Sequence, residues 1–490
     1  MISISSLSAA LFYASLAAGL GLEAASVTLD YGTFAGLVDL EQRIVYFRGV
    51  RYADPPRRWT APVSPPTRHL GHVQATTIYA PTTTTADNPL PVLVYFHGGG
   101  FEDGSTHDYA PEHIMQSSVN PLVFVTFEFR QGPLGFLGGA AVKKHGSLNV
   151  GLLDQQAALR WVQRYIRKFG GDPAWVTIWG ESGGAGATMF HLIGSDPSLF
   201  HQAMGNSPSL NYLPAYDDPY VESLFTEFAQ NAGCLDLDCL RSVPADTIAA
   251  AGQKVLASHP ATLYPFAPVF DGAFFTQRPV EAFSRGQFAQ VPVLFGSNTD
   301  EGAGWSASLA DGAANTSSHN ATQATVYRFL RGQYAALSQK SFDTAVRLHY
   351  PLAAYGGSVG LQAQQMYGEL RYICTAVLVT GSARPAYHYR WDNPSLGSHH
   401  AADLAAFFWD TSAFGSADRA LIDAMRRYFT SFVTDGAPAA ADAVVWAPVS
   451  SAHGSPRLLL NPSEMRLEPV PGDLRARCAF WHGIAVELRV

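Results

Sequence analysis

Residues 176–190 read VTIWGESGGAGATMF, and this stretch carries the first indication of the fold. The apolar and β-branched residues 176–179 predict a short buried strand, and the small residues from Gly183 onward lead into a predicted helix. A G-x-S-x-G turn between a strand and a helix strains its serine and leaves the hydroxyl exposed. The stretch therefore predicts a nucleophile at Ser182, against the alternative of a serine in an ordinary glycine-rich loop.

The same five-residue pattern occurs a second time, at residues 356–360, which read GGSVG. The preceding residues 351–355 read PLAAY and contain no β-branched run, so we predict a plain loop before a helix there. The pattern alone therefore does not identify a nucleophile. The predicted strand in front of Ser182 distinguishes the first copy from the second.

Composition limits the class of protein. The chain has 490 residues, of which 47% are hydrophobic and 15% are charged, and its formal net charge is −8. No low-complexity tract or linker divides it, so we predict a single domain over residues 26–490. The negative charge argues against nucleic acid or an anionic membrane surface as the main partner. The sequence implies neither a metal nor an organic cofactor, and it predicts no oligomeric state.

The N-terminal residues predict export. Residues 1–25 contain an apolar run at 7–18 followed by small residues, which is typical of a signal peptide cleaved between residues 17 and 26. The run is too short for a membrane span, so we expect a secreted protein without stable membrane insertion. Two glycosylation sequons, at Asn315 and Asn320, lie in a polar stretch suited to a surface loop.

A second apolar strand is predicted at residues 91–96, and the sequence HGGGF follows at residues 97–101. Successive glycines allow backbone N–H groups to converge on one point with no Cβ atoms in the way. Upstream of a nucleophile turn, this arrangement is typical of an oxyanion hole. The alternative is a simple turn after a strand.

A serine nucleophile needs a base, and the base needs a carboxylate to orient it. In α/β-hydrolases the chain order is serine, then acid, then histidine. A short apolar strand is followed by the adjacent acids Asp300 and Glu301. A later predicted strand, at residues 386–391, is followed by a loop that contains His399 and His400. Spacing alone does not choose between the members of either pair.

Three further stretches carry a resemblance to a known family. Residues 130–136 (RQGPLGF), 152–162 (LLDQQAALRWV) and 169–184 (FGGDPAWVTIWGESGG) resemble the type-B carboxylesterase/lipase family, which includes the cholinesterases and many secreted fungal esterases. The likeness extends from about residue 27 to the C-terminus. It implies an α/β-hydrolase fold, with a large, mostly parallel sheet flanked by helices. It also implies hydrolysis of a small-molecule carboxylic ester through an acyl-enzyme.

The resemblance also implies roles for individual residues. The family's acid is the glutamate of a D-E-G triplet, which implies Glu301 rather than Asp300. Its histidine precedes two small residues, an acid and an apolar residue, which implies His400 rather than His399. Ser182 would then be the nucleophile of a serine–histidine–glutamate triad.

Around that triad the resemblance implies supporting groups. Glu181 would be a charge beside the nucleophile, not the acid of the triad. The four cysteines would form a short-range and a long-range disulfide. The implied oxyanion donors are the backbone N–H groups of Gly99, Gly100 and Gly183, and the implied disulfides are Cys234–Cys239 and Cys374–Cys478.

The chain departs from the family pattern after residues 51–56, which read RYADPP. Relatives carry a further loop closed by a disulfide there, whereas here residues 72–76 lead almost directly to residues 77–81. That loop forms the lid of family lipases and carries the choline-binding aromatic residue of cholinesterases. Its loss near residues 72–80 argues against both activities and predicts a more open site.

Two other functions use the same sequence features. One is acyl transfer to a secondary metabolite, which would need the same residues. The other is binding without catalysis, as in adhesion relatives that keep the fold and lose the triad. Because Ser182, Glu301, His400 and the HGGG run are all present, the sequence favours ester hydrolysis.

Overall fold

A computed structural model describes the chain at residues 25–54, 56–65, 76–450 and 455–490. The predicted signal peptide lies outside these ranges except for its last residue, and the predicted shortened loop lies partly outside them. The strands are β1 Ser26–Leu29, β2 Gly32–Ala35, β3 Leu37–Asp39, β4 Ile44–Val50, β5 Thr76–Pro81, β6 Leu90–Phe96, β7 Val123–Thr126, β8 Gly171–Glu181, β9 Gln202–Asn206, β10 Val293–Asn298, β11 Ala386–Trp391, β12 Pro456–Leu460 and β13 Arg466–Pro469.

Eleven of these strands form one sheet, in the order β13-β12-β11-β10-β9-β8-β6-β7-β5-β4-β3. The strands from β12 through β7 in that order run parallel to one another, and the strands at both edges are antiparallel. β1 and β2 form a separate hairpin. The central strands are buried nearly throughout, as expected of parallel strands covered on both faces. The predicted large, mostly parallel sheet is confirmed.

Helices flank this sheet and supply the crossovers that parallel strands require. Within the described residues, no helix is both long enough and apolar enough to span a membrane. The α-helices are α1 Glu112–Ser117, α2 Gly132–Phe136, α3 Ala140–His145, α4 Val150–Tyr165, α5 Gly183–Gly194, α6 Pro219–Asn231, α7 Leu237–Ser242, α8 Ala245–Ser258, α9 Pro279–Ser284, α10 Trp305–Ser308, α11 Gln323–Gln333, α12 Gln339–Thr344, α13 Val359–Gly368, α14 Cys374–Ser382, α15 Ala405–Phe408, α16 Ser416–Asp435, α17 Gly472–Gly483 and α18 Ala485–Leu488.

The bounds of three predicted strands differ in the structure. β8 spans Gly171–Glu181 around the predicted residues 176–179, and β6 begins one residue before the predicted residues 91–96. The third difference is at β10. The apolar run predicts a strand at residues 291–296, but β10 begins at Val293 and continues to Asn298. Proline has no N–H to donate to a sheet ladder, which explains why β10 begins after Pro292. At the other end, Ser297 and Asn298 are buried although they are polar. The sheet therefore extends two residues further toward the candidate acids than the apolar pattern indicates.

Both disulfides that the resemblance implies are bonded in the structure. Cys374–Cys478 joins α14 to α17 across 104 residues of chain, and Cys234–Cys239 joins the loop after α6 to the first turn of α7. Closing a long loop restricts the unfolded chain more than closing a short one, so the first bond contributes more to stability in the chain-entropy model.

The two sequons lie between α10 and α11. Asn320 is exposed and Asn315 is partly exposed, whereas Thr316 of the first sequon is buried and contacts the Ser306 hydroxyl at 2.7 Å. The predicted surface loop therefore fits Asn320 better than Asn315. Glycosylation at either residue stays a prediction.

Candidate active site

Ser182 lies at the turn between β8 and α5. Its backbone dihedrals are φ 55° and ψ −119°, a strained conformation for a residue with a side chain. The flanking glycines are required by close backbone contacts. A Cβ atom at Gly180 would lie 2.3 Å from the carbonyl carbon of Gly184, and one at Gly184 would lie 2.0 Å from the carbonyl oxygen of Phe96. The strained turn predicted for Ser182 is confirmed.

The imidazole of His400 contacts Ser182 on one side and Glu301 on the other. Its Nε2 lies 2.8 Å from the Ser182 Oγ, and its Nδ1 lies 2.6 Å from a carboxylate oxygen of Glu301. Because an ionised carboxylate only accepts hydrogen bonds, Nδ1 carries a proton, and Nε2 accepts from the serine hydroxyl when the imidazole is neutral. The three side chains form one hydrogen-bonded line.

The other member of each predicted pair points elsewhere. Asp300 and His399 are exposed, and their backbones pair in an isolated parallel bridge. Glu301, in contrast, is fully buried, and His400 has little exposure. The structure thus brings to Ser182 the member of each pair that the resemblance implies.

The carboxylate of Glu301 is held by several donors. The Ser207 hydroxyl donates to Oε1 at 2.5 Å, and the backbone N–H of Asn298 donates to the same oxygen at 2.7 Å. The indole N–H of Trp305 donates to the Glu301 carbonyl at 2.9 Å. The first two bonds fix the carboxylate beside His400, and the third fixes the backbone of Glu301.

Sequence reasoning missed Ser207 and Asn298. The pattern placed Asn298 in a loop, and nothing in the sequence near Ser207 marks it as special. Both follow or end parallel strands, at the edge where β6, β8 and β11 also end. In such sheets, ligands and functional groups gather at the carboxyl ends of the strands. Ser207 and Asn298 could therefore have been identified as polar residues at the carboxyl ends of predicted strands.

Two opposing effects act on His400. Burial acts to lower its pKa, but the negative charge of Glu301, with further contributions from Glu181 and Asp403, raises the pKa of the imidazole above its ordinary value. The ring is also packed between aromatic neighbours, with its centroid 4.2 Å from that of Tyr372 and 5.2 Å from that of Trp305. The imidazole is therefore confined to one orientation and is a stronger base than a free histidine.

Glu181, the residue before Ser182, is a second buried carboxyl group at this site. Its Oε1 lies 3.3 Å from the Nε2 of His400 and has no hydrogen-bond partner within the described part of the chain. Burial raises its pKa to about 8. Glu181 also limits the neighbouring loop, because a Cβ atom at Gly98 would lie 2.5 Å from its Oε2.

The glycine loop after β6 passes directly against this turn. Gly99 and Gly100 have positive φ values of 109° and 63°, and a Cβ atom at Gly183 would lie 3.0 Å from the backbone nitrogen of Gly100. The ring of Tyr264 covers Gly100, since a Cβ atom there would lie 2.3 Å from the Tyr264 ring. The three predicted oxyanion residues are therefore neighbours, beside Ser182.

Asp403, which follows His400 by three residues, lies beneath the site. It accepts hydrogen bonds from the Tyr389 hydroxyl at 2.7 Å and from the Asn206 amide at 2.7 Å. The Asn298 amide also donates to it, at 3.2 Å. These bonds tie the ends of β9, β10 and β11 together below the imidazole.

A nucleophile, a base, an orienting acid and adjacent backbone amides are the groups that acyl transfer requires. Among the described residues, no group of three or more histidine, cysteine, aspartate or glutamate side chains is gathered as a metal site.

Comparisons with known proteins agree with this chemistry. The model of the carboxylesterase family matches residues 75–481. The chain is 39% identical over 241 residues to Secreted lipase 1 of Botryotinia fuckeliana, which covers 46% of this chain and 42% of that protein. It is 32% identical over 403 residues to Lipase 1 of Geotrichum candidum, which covers 74% of this chain and 68% of that protein.

A solved structure extends the likeness over nearly the whole chain. The crystal structure of Aspergillus niger EstA matches with a TM-score of 0.83 and 28% sequence identity, covering 95% of this chain and 99% of that one. The two curated relatives are longer, and the alignments span between 42% and 68% of their length.

Proposed function

The chain belongs to the carboxylesterase family and has its α/β-hydrolase fold, and we propose that it hydrolyses carboxylic esters through an acyl-enzyme on Ser182. The observation that carries the proposal is the hydrogen-bonded line from the Ser182 Oγ through His400 to Glu301. Only a base within hydrogen-bonding distance of the hydroxyl makes a serine an effective nucleophile.

In the first half of the reaction, the Ser182 Oγ attacks the carbonyl carbon of the ester while the Nε2 of His400 takes the hydroxyl proton. Glu301 orients the imidazole and stabilises its cation. His400 then gives the proton to the leaving alcohol, and an acyl-enzyme remains. Water attacks the acyl-enzyme with His400 as base again, releasing the carboxylic acid and restoring Ser182.

The backbone N–H groups of Gly99, Gly100 and Gly183 are proposed to bind the negative charge that develops on the carbonyl oxygen. Their support is the packing of the glycine loop against the nucleophile turn, which leaves no space for side chains there. Removing a single donor of this kind typically lowers the rate by about 10²–10³-fold. Glu181, whose Oε1 lies 3.3 Å from the Nε2 of His400, is proposed to add negative charge there in the fraction of molecules in which it is ionised.

We further propose that the protein is secreted and acts on a small-molecule ester. Two disulfides support an oxidising compartment, and the Botryotinia relative is named as a secreted lipase. The proposed signal peptide, residues 1–25, lies almost wholly outside the described residues.

The test is the intact mass of the secreted protein after exposure to a fluorophosphonate, followed by peptide mapping. The reagent reacts with a serine only where a base and an oxyanion hole are assembled. We expect one adduct, on Ser182. A folded protein that forms no adduct, or forms one on another residue, would contradict the proposal.

A further inference from the structure

Gln131 connects the two ends of the glycine loop, residues 97–104. It directly precedes α2 and is partly buried. The Nε2 of its side chain lies 3.1 Å from the Nε2 of His97 and 3.1 Å from the carbonyl oxygen of Gly104. His97 is the first residue of the loop and Gly104 is the last, so one side-chain amide contacts both ends.

The hydrogen bonds of His97 determine which groups donate. Its Nδ1 lies 2.9 Å from the carbonyl oxygen of Gly98, which can only accept, so Nδ1 carries the proton. Burial lowers the pKa of His97, so the ring is neutral at physiological pH and its Nε2 has a free lone pair. Gln131 therefore donates both of its amide hydrogens, one to His97 and one to Gly104.

The two ends of the glycine loop also touch each other. A Cβ atom at Gly104 would lie 2.3 Å from the carbonyl oxygen of Gly98 and 2.6 Å from the Nδ1 of His97. Between these ends, Gly99 and Gly100 have positive φ values and no side chain that could hold them in place. The positions of their N–H groups therefore depend on the contacts that the rest of the loop makes.

Two other contacts hold the same part of the chain against residues 128–132. The N–H of Gly132 donates to the carbonyl of Phe101 at 2.8 Å. The carboxylate of Glu128 accepts from the backbone N–H of Thr106 at 2.9 Å and from its hydroxyl at 2.7 Å. The first of these contacts fixes the middle of the loop and the second fixes the chain beyond it, whereas Gln131 fixes both ends.

We propose that Gln131 is a positioning residue for the oxyanion hole. By donating to both ends of the loop, it holds the N–H groups of Gly99 and Gly100 where the carbonyl oxygen of the ester becomes negatively charged. This inference rests on the proposed function. Oxyanion donors lower the barrier most when they are in place before the reaction, since a mobile loop would have to be reordered at each turnover. Gln131 acts through the loop and takes no part in the proton transfers.

The test replaces the amide by groups of similar length. Gln131→Met removes both hydrogen bonds, and kcat for 4-nitrophenyl hexanoate should fall about 10-fold while KM stays within about twofold. This loss is smaller than the 10²–10³-fold typical of a deleted oxyanion donor, because the N–H groups remain and are only held less firmly. Gln131→Glu places a carboxylate opposite two acceptors, so kcat should fall at least as far.

The matched control is Gln163→Met, on α4. Gln163 is also partly buried, and its Nε2 also makes two hydrogen bonds, to the carbonyls of Pro173 and Leu199 at 2.8 and 3.0 Å. Its replacement removes the same number of bonds at a distance from the glycine loop. We expect the thermal midpoints of the two methionine variants to fall by similar amounts, and kcat of Gln163→Met to stay within about twofold of that of the natural protein.

A second measurement separates positioning from a general loss of structure. The Ser182 Oγ bonds to the carbonyl carbon of 1,1,1-trifluoro-2-octanone, its proton passes to His400, and the ketone oxygen becomes an oxyanion that would occupy the hole. The inhibition constant of this ketone should rise in Gln131→Met by about the factor by which kcat/KM falls, because the adduct resembles the transition state. The midpoint pH of the acidic limb of kcat/KM should not move, since His400 and Glu301 keep their contacts.

The outcomes separate the two proposals. An unchanged kcat in Gln131→Met, a loss no larger than that in Gln163→Met, or a loss without weaker binding of the ketone would overturn the role of Gln131 and leave the proposed function standing. If the natural protein does not hydrolyse the hexanoate and forms no fluorophosphonate adduct, the proposed function fails, and the role of Gln131 fails with it.

Discussion

The two G-x-S-x-G segments of this chain, at residues 180–184 and 356–360, share a sequence pattern. They differ in the preceding secondary structure, in the backbone conformation of the serine and in the contacts of its hydroxyl. Ser182 follows a buried strand, has φ 55°, and contacts His400 at 2.8 Å. Ser358 has φ −81°, and its hydroxyl accepts from the backbone N–H of Leu361 at 3.2 Å, capping α13. The second segment is a turn before a helix and follows no strand, as predicted, although the preceding Leu352–Tyr355 form a short 3-10 helix instead of a plain loop.

The glycines of the two segments differ in the same way. A Cβ atom at Gly184 would lie 2.0 Å from a backbone oxygen, whereas nothing lies within 4 Å of one at Gly356 or Gly357. The first segment is therefore enclosed by the sheet and the glycine loop, and the second is open. A G-x-S-x-G pattern therefore forms a strained turn with an activated serine only where neighbouring strands and loops pack against it.

The largest expected effect is that of Ser182→Ala. Removing the proposed nucleophile should lower kcat for a 4-nitrophenyl ester by about 10⁵–10⁶-fold, while the circular dichroism spectrum stays the same. Ser358→Ala is the matched control and should keep kcat within about twofold, although loss of the cap costs about 1 kcal/mol of stability. Equal activity of the two variants would show that Ser182 is not the nucleophile.

Glu301→Gln comes next. An amide in place of the carboxylate removes the charge that stabilises the imidazolium and permits the wrong tautomer, so kcat should fall by about 10⁴-fold. Asp300→Asn, at the exposed neighbour, is the control and should have little effect on the hydrolysis rate. A larger loss in Asp300→Asn than in Glu301→Gln would reverse the proposed roles.

A third prediction concerns stability. Gly184→Ala forces a methyl group against the carbonyl of Phe96 and should lower stability by about 3 kcal/mol or more, because a backbone atom has to move. In Gly360→Ala the methyl group would meet the carbonyl of Thr316 at 3.0 Å, and the gain in helix propensity offsets this contact. The thermal midpoint of Gly184→Ala, measured at the same heating rate, should therefore be lower than that of Gly360→Ala. Similar midpoints would mean that the first segment is not enclosed as described.

The smallest effect concerns Glu181, whose place in the second segment is taken by Gly357. Because His400 acts as a base only when neutral, activity should rise with pH through the raised pKa of its imidazole, above the ordinary value of 6.5. Glu181→Gln removes one of the negative charges that raise this pKa, so the acidic limb of kcat/KM should move to lower pH. The shift should be about one pH unit or less, because Glu181, with its pKa raised to about 8, is only partly ionised near neutrality.

The control for this profile is Glu281→Gln, at an exposed surface glutamate, which should leave the limb in place. If the acidic limb of kcat/KM in Glu181→Gln has the same midpoint pH as in the natural protein, or a higher one, Glu181 does not act on His400.

Much of the fold could be predicted because local chain chemistry specifies it. The run at residues 386–391 is a strand with the predicted bounds, since its residues suit a buried sheet position and a proline precedes it. The strand before Ser182 and the helix after it likewise follow from side-chain bulk and branching. The start of β10 was misplaced by two residues because an apolar run does not show where ladder hydrogen bonds begin.

The amino-acid sequence alone predicted the turn at Ser182, from the β-branched run before it and the small residues after it. It also gave the order of nucleophile, candidate acids and candidate histidines along the chain. It left Asp300 and Glu301, and His399 and His400, equivalent until a family resemblance chose between them. Only the tertiary structure showed that His400 contacts Ser182 and that Glu301 contacts His400, and it alone revealed Ser207 and Asn298 beside Glu301. The physical reason is that the contacts of Glu301 with Ser207 and of His400 with Glu301 and Ser182 join residues about 90 to 220 positions apart. They depend on the register of parallel strands, and no local pattern encodes that register.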